Sequence, residues 1–107
     1  MSLPTEAECQ RTIIDAARLA GWRVHAERTS RTASGGYATA IQGDPGFPDL
    51  VLVKGRHLLF VELKRDKTGR IGPGQQDWID ALGGCAYATI LWVPSQMQAF
   101  ITTLVRA

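Results

Sequence analysis

Three charged residues lie within two apolar segments of the sequence, Asp49 in "GFPDLVLV" and both Glu62 and Lys64 in "HLLFVELK". The two segments have the composition of β-strands, and the "KGR" between them fits a tight turn. Glu62 and Lys64 are two residues apart, so they project from one face of their strand. With the turn near residues 54–56, antiparallel pairing places Asp49 close to residues 61–62. We therefore expect two carboxylates and one amine to meet on a small sheet.

The chemistry of this group follows from its charges. Two carboxylates at close range repel each other unless a positive charge lies between them. A divalent cation held by Asp49, Glu62, waters and the backbone carbonyl of Leu63 would remove the repulsion, and such oxygen ligands suit Mg²⁺ or Mn²⁺. A cation bound in this way polarises a phosphoryl oxygen and lowers the pKa of bound water. Lys64 is spaced to orient the attacking water and to stabilise negative charge. The pattern predicts a site of phosphodiester hydrolysis.

A buried ion pair is the alternative for the same residues. Lys64 would then neutralise Glu62 or Asp49 without any cation. Such a pair costs desolvation and adds little stability to a sheet. The three residues taken alone leave this alternative open.

Composition and length are those of an ordinary globular chain. The 107 residues are 45% hydrophobic and 21% charged, which predicts one domain over residues 1–107 and not disorder. No apolar run approaches the roughly 20 residues of a membrane helix, and the polar start "MSLPTEAECQ" is unlike a secretory signal, so we expect an intracellular protein. Cys9 and Cys85 form no zinc-type pair, and we expect no disulfide between them.

Hydrophobic periodicity predicts the order α-β-β-β-α-β-α. The predicted elements are a helix over 5–20 with Thr5 as N-cap and Gly21 as its stop, a strand over 22–28, a loop over 29–45, strands over 48–53 and 57–64, a loop over 66–74, a helix over 75–82 preceded by Pro73, a strand over 85–93, and a last helix within 94–106 opened by a capping box of Ser95 and Gln98. The strand over 57–64 is apolar on both faces, which predicts a central position in the sheet.

Two further polar residues fall on inward faces of predicted helices. A helical wheel places Glu6 at the centre of the apolar stripe of the first helix. Gln75 shares a face with Trp78, Ile79 and Leu82 in the second helix. Each has a plainer alternative: Glu6 as a first-turn acid favoured by the helix dipole, and Gln75 as an ordinary N-terminal helix residue.

Positive charge gathers on both sides of the strand pair. The segment "KRDKTGR" at residues 64–70 holds four bases and one acid, and residues 22–31 hold three bases and one acid. This distribution indicates a polyanionic partner. The candidate phosphate contacts are Arg28, Arg31, Lys67 and Arg70, with a solvated loop surface as the alternative for each.

The arrangement resembles a known nuclease signature. Pro48-Asp49, followed thirteen residues later by Glu62-Leu63-Lys64, is similar to the PD-(D/E)xK motif. The ordered segments "TEAECQRTIIDAARLAGW", "GFPDLVLV" and "LLFVELKRDKTGRIGPGQQDWIDALGG" resemble the VRR-NUC family of that superfamily, from about residue 6 to residue 92. A Val-Arg-Arg-like segment is not present as such, and "KRDKTGR" stands in the comparable basic loop.

The resemblance implies a fold and a set of roles. The fold would be α/β, with a restriction-endonuclease-like core in which a mixed sheet is flanked by helices. Asp49 and Glu62 would bind the metal, and Lys64 would be the catalytic lysine. Glu6 would correspond to the family's first-helix acid, and Gln75 to the glutamine in the helix after the catalytic strand.

The expected function is that of a Mg²⁺- or Mn²⁺-dependent DNA endonuclease of the stand-alone phage or bacterial type. The resemblance to small nucleases of this kind implies a homodimer that cuts branched DNA such as Holliday junctions, because such a substrate needs two cuts with two-fold symmetry. The expected location is the cytoplasm of a bacterium or of a phage-infected host. Two alternatives remain, a catalytically inactive DNA-binding module of the same fold and a structural or protein-interaction domain.

Overall fold

A computed structural model of the chain describes residues 2–27 and 42–107. The order of elements in these residues is the predicted α-β-β-β-α-β-α. The elements are α1 (Glu6–Leu19), β1 (Arg23–Ala26), β2 (Leu50–Lys54), β3 (His57–Arg65), α2 (Pro73–Gly83), β4 (Tyr87–Val93) and α3 (Met97–Arg106). None of these helices has the length and apolar character needed to cross a membrane.

The strands form a mixed sheet in the order β1-β2-β3-β4. The β1–β2 and β2–β3 pairs are antiparallel, and the β3–β4 pair is parallel. A parallel pair needs a crossover, which α2 supplies between β3 and β4. β3 lies between two neighbours, as its apolar character on both faces predicts. The mixed sheet with flanking helices confirms the restriction-endonuclease-like α/β fold.

The main core lies between one sheet face and two helices. Alternate residues of β2, β3 and β4 point to this face and pack with α1 and α3. The buried members include Leu50, Leu52, Val61, Leu63, Leu91, Ile13 and Leu104. On the opposite face, Phe47 packs edge-on against Phe60 and against Trp78 of α2, with ring centroids 5.9 Å and 4.9 Å apart. Asp49, Glu62 and Lys64 belong to this second face by strand alternation.

The start of α1 is capped as the sequence predicts. The Glu8 N–H donates to Thr5 Oγ1 at 3.1 Å, and the Thr5 N–H donates to Glu8 Oε1 at 2.9 Å. This reciprocal capping box fixes Glu6 as the first helical residue. α2 begins at Pro73, two residues before the predicted start, because proline fits the first turn of a helix, where its missing N–H has no partner to lose.

The capping box predicted for the last helix is wrong. α3 begins at Met97, and its N-cap residue Gln96 makes no side-chain cap. The Ser95 N–H and Oγ instead donate to the two carboxylate oxygens of Asp66, at 2.9 Å and 2.8 Å. In a capping box the Ser95 N–H would donate to the side-chain oxygen of Gln98, and the Asp66 carboxylate is a stronger acceptor than that neutral amide. Ser95 therefore ties this turn to the end of β3.

Gln96 lies at the outer border of the sheet. The Trp92 N–H donates to Gln96 Oε1 at 3.0 Å, and the Gln96 N–H donates to the Trp92 carbonyl at 2.9 Å. Val93 turns its carbonyl toward β3, where it accepts from the Asp66 N–H. Because the direction of the backbone N–H and carbonyl alternates along a strand, the N–H and carbonyl of Trp92 point away from β3.

Two strand boundaries are narrower than predicted. β1 covers Arg23–Ala26 where 22–28 was predicted, and residue 28 lies outside the described residues. The strand starts after Trp22 because the Trp22 N–H still donates to the Ala17 carbonyl of α1 at 2.9 Å, while Trp22 Nε1 donates to the Leu104 carbonyl at 2.9 Å. β4 starts at Tyr87 and not at residue 85, because the Ala86 N–H still donates to Leu82 at the end of α2. The predicted loop over 29–45 falls largely outside the described residues.

Candidate active site

Asp49 lies opposite Glu62, as the turn position predicts. Leu50 pairs with Val61, so one step back along β2 places Asp49 beside Glu62. Asp49 Oδ2 accepts a hydrogen bond of 2.9 Å from the Leu63 N–H. The side chain of Asp49 thus accepts the β3 backbone hydrogen bond at a position that lies just before the first residue of β2. This bond fixes the direction of one acid on the sheet.

Glu62 is the buried acid of the pair, with 3% of its surface exposed. Burial raises the pKa of Glu62 to about 9, and both hydrogen bonding and repulsion from Asp49 add to the rise. The positive charge of Lys64 lowers the pKa of Glu62. Glu62 therefore holds its proton at neutral pH when no cation is present.

Lys64 is half-buried and lies on the same sheet face, two residues beyond Glu62. Within residues 2–27 and 42–107, Arg11 forms an ion pair with Asp15, and His25 Nε2 lies 3.5 Å from Glu27 Oε1. Lys64 is thus not locked against either acid. The buried ion pair, the alternative that the sequence left open, is not what the structure has.

The Leu63 carbonyl lies on the same side of β3 as the Leu63 N–H, because both groups of a strand residue face the same neighbour. That side carries the Asp49 carboxylate. No cluster of three His, Cys, Asp or Glu side chains suited to a metal ion is found in the described chain. A cation here would have two carboxylates, a main-chain oxygen and waters as its ligands, a donor set suited to Mg²⁺ and Mn²⁺.

Glu6 reaches the same region from the start of α1. Partial burial raises the pKa of its carboxyl, and repulsion from Asp49 adds to this effect. The charges of Lys64 and Arg65 lower the pKa, as does the Arg65 backbone N–H. The side chain is exposed and not buried with the rest of the stripe. The helical wheel placed Glu6 on the inward face, and its exposure differs from that prediction. Its role as the family's first-helix acid stays a prediction.

Gln75 is half-buried at the third residue of α2. Its Oε1 accepts from the Gly72 N–H at 2.8 Å, which caps the helix. This contact is that of an N-terminal helix residue, the plainer of the two roles considered for it. A role of Gln75 at the acids stays a prediction.

Two glycines that the sequence analysis did not single out connect α2 to the loop before Asp49. Gly46 has φ +97°, and a Cβ built on it would lie 2.5 Å from the Gly74 carbonyl carbon. The same Cβ would lie 2.6 Å from the backbone nitrogen of Gln75. Only glycine permits this approach. The available signal was Gly46 itself, three residues before a candidate metal ligand.

The predicted phosphate contacts fall into two groups. Lys67 has a positive φ of 66°, and Arg70 Nη1 donates to the carbonyls of Lys67 and Gly69 at 3.1 Å and 2.9 Å. Both bases belong to one folded loop directly after the strand that carries Lys64. Arg28 and Arg31 lie outside the described residues, so their predicted role stays a prediction.

The chain is similar to known proteins in both sequence and fold. The profile of the VRR-NUC domain matches residues 9–92, a span that contains Asp49, Glu62, Lys64 and Gln75 and begins after Glu6. One solved structure named "VRR_NUC domain protein" is 19% identical with a TM-score of 0.66, and the alignment covers 98% of this chain and 91% of that one. Another, named "VRR_NUC domain", is 20% identical with a TM-score of 0.65, covering 91% and 94%.

At this level of identity the two structures support the fold. No curated protein matches the chain. The profile match extends over most of the sequence and includes the two facing acids and the lysine. The chain belongs to the VRR-NUC family, a family of nuclease-type domains.

Proposed function

We propose that the chain is a Mg²⁺- or Mn²⁺-dependent endodeoxyribonuclease, with residues 1–107 acting as one nuclease domain. The observation that carries the proposal is the facing pair of Asp49 and Glu62 with an unlocked Lys64 on the same face. A buried carboxyl pair without a cation is unfavourable for the fold. Its presence beside a lysine is explained by a reaction that needs it.

The donor groups fit a hard cation. Asp49 offers the oxygen that does not bond the Leu63 N–H, Glu62 offers its carboxylate, and Leu63 offers its carbonyl. When bound, the cation supplies Lewis-acid polarisation of a phosphoryl oxygen and a lowered pKa for its water.

The chain's own residues prepare this site in three ways. The Leu63 N–H orients Asp49 before any ligand arrives. Glu62 carries a proton that a cation displaces, because its raised pKa reflects burial and a negative neighbour. Lys64 provides the positive charge that stabilises the phosphate as negative charge develops on it. Glu6 adds a further acid, suited to a water of the cation's shell.

The test is cleavage of DNA by the parent protein and by Asp49→Asn and Lys64→Met, each with Mg²⁺, with Mn²⁺ and with chelator. Arg11→Gln is the matched control, since Arg11 is exposed and pairs with Asp15. We expect metal-dependent cleavage by the parent and the control. Each site variant should lose a factor of about 10² to 10³ or more in rate, as for loss of one charge-stabilising group.

Two outcomes would contradict the nuclease proposal. A parent protein that binds DNA but cuts none of the substrates with either metal would indicate the inactive DNA-binding module. Absence of both DNA binding and Mn²⁺ binding by calorimetry would indicate a structural or protein-interaction domain.

The proposal extends to the DNA substrate and to the oligomeric state of the protein. Both of these rest on the resemblance to stand-alone nucleases. We propose branched DNA, such as a Holliday junction, cut by a homodimer whose two sites have two-fold symmetry. A panel of four-way, flapped, single-stranded and linear DNAs, with the mass of the protein measured by light scattering, tests both. A monomer with equal rates on all substrates would contradict this part alone.

A further inference from the structure

The end of the sheet farthest from the acids is strongly basic. Arg18, Arg23, Lys54, Arg56 and Arg106, here called the hairpin-end surface, come from the segments 18–26, 52–58 and 103–107. These segments contain five of the chain's twelve bases and none of its ten acids, so the remaining sequence has a net charge of −3. A net charge of +2 for the whole chain conceals this separation.

Contacts in the fold bring the three segments together. Arg23 pairs with Val53, the neighbour of Lys54. The Lys54 side chain passes over Gly21, where an added Cβ would lie 3.6 Å from Lys54 Cε. Lys54 Nζ then donates to the Ala107 carbonyl at 2.9 Å. The Gly21 N–H donates to the Arg18 carbonyl at 3.0 Å, which places the end of α1 beside the hairpin.

An open cavity of about 460 Å³ lies within this surface. Its lining residues are Gly21, Trp22, Arg23, Val53, Lys54 and Gly55. Two bases and two glycines leave room for a group that approaches close to the backbone, and the lining residues that the structure describes include no acid. This chemistry suits a phosphate group.

The surface is aligned with the proposed metal site. Arg23 projects from the same sheet face as Asp49, because Arg23 pairs with Val53 and residues 49, 51 and 53 of the β2 segment share a face. Four residues of strand separate Asp49 from Val53, or about 13 Å at the strand rise. A DNA duplex advances about 3.4 Å per base pair, so this distance spans about four base pairs.

We propose that the hairpin-end surface is a second DNA-contact site, which binds backbone phosphates of the duplex flanking the cleaved bond. The inference rests on the proposed function, and it names how that function would hold its substrate. The partner is DNA because the surface combines dispersed positive charge with an open cavity lined by two bases, and Arg23 shares a sheet face with the acids of the proposed metal site.

The test is the salt dependence of DNA binding by the full chain in chelator, measured by fluorescence anisotropy with a branched DNA of long arms. The variants are Arg23→Gln, Arg56→Gln and their combination, all at exposed positions. Each lost phosphate contact lowers the slope of log K against log salt by about one. We expect the double variant to lose about two units of slope, and we expect equal binding by parent and variant when the arms stop about three base pairs from the branch.

Arg11→Gln is the control, because it removes the same charge from α1 outside the surface. A double variant with the slope of the parent would overturn the proposal, and so would an equal loss in the control. Binding of polyglutamate as tight as that of DNA would also overturn it, since the surface would then be one for acidic protein. Binding in chelator does not depend on cleavage, so a failure of this inference and a failure of the nuclease proposal are separate results.

Discussion

The Glu62 carboxyl is held where its negative charge is disfavoured. It is 3% exposed, it faces Asp49, and its pKa is raised to about 9. Residues of this kind lower the stability of a fold and are kept for what they bind. The free energy lost at this position is recovered when a cation binds, because ligands of the folded state stabilise it.

Glu62→Gln should therefore separate stability from metal binding. The amide keeps the size of the protonated acid and needs no proton uptake on folding, so we expect the metal-free variant at neutral pH to melt a few °C above the parent, on the order of 1 kcal/mol. The rise in Tm that Mn²⁺ gives to the parent should be absent from the variant. Differential scanning fluorimetry with metal and with chelator measures both. A variant that melts below the parent in chelator would contradict the prediction.

The pH dependence of stability has a definite sign. The unfolded carboxyl titrates near 4.5 and the folded one near 9, so the folded state holds its proton more tightly. The stabilising contribution of protonated Glu62 is complete below the unfolded value and is lost as pH rises through the folded value. We expect the metal-free parent to lose Tm between about pH 5 and pH 9, and Glu62→Gln to lose less. Equal losses in the two proteins would show that Glu62 is not the titrating group.

At the scale of the elements, the contact between the loop before β2 and the start of α2 determines where Asp49 lies. Gly46 and Gly74 meet backbone to backbone, and Gly46 has φ +97°. Gly43 has a similar φ of +99° but has no atom within 4 Å of a Cβ position. The two glycines therefore distinguish conformational strain from loss of the contact.

Gly46→Ala should be more damaging than Gly43→Ala. Both substitutions place a side chain at positive φ, which costs on the order of 1–3 kcal/mol. Only the first also forces α2 away from the loop, so we expect a further loss of stability by chemical denaturation and a fall in nuclease rate. Gly43→Ala should keep the rate of the parent. Equal effects of the two substitutions would show that the close approach is unimportant.

The sequence predicted the features that depend on local pattern. Alternation and turn position were sufficient to place Asp49 beside Glu62, and Thr5 as N-cap was sufficient for the start of α1. The pattern failed where a distant group competes for the same atoms. Ser95 has the spacing of a capping residue, but Asp66, 29 positions away, takes both of its donors. The separation of charge at the hairpin end was likewise hidden, because it is created by three segments that meet only in the fold.

At the scale of the whole molecule, one hydrogen bond ties the first third of the chain to its last helix. Trp22 Nε1 donates to the Leu104 carbonyl across 82 positions, and both residues are buried in the core. Trp78 Nε1 makes a similar bond of 3.1 Å to the Asp44 carbonyl, but at an exposed position. The two tryptophans give a matched pair for measuring what burial adds.

Trp22→Phe should cost about 1–3 kcal/mol in the free energy of unfolding or more, because the Leu104 carbonyl is left without its donor in the core. Trp78→Phe removes the same N–H where water replaces it, so its cost should be smaller by at least about 1 kcal/mol. Urea denaturation followed by circular dichroism measures both changes. Equal costs would mean that the Trp22 bond contributes nothing beyond the size of its ring.

The Gln96 side chain has a consequence for how the molecule behaves when crowded. By occupying the Trp92 N–H, it closes the last outward-facing position of β4. Within the part of the chain that the structure describes, the other outward-facing residues of β4 are Ala88 and Ile90, and the Ile90 carbonyl already accepts from Thr89 Oγ1 at 3.5 Å. So few open groups do not support a lasting ladder. A seven-residue strand without a single charge is otherwise a template for fibril growth. One side-chain amide at its end therefore removes an outward-facing donor with which an incoming strand could pair.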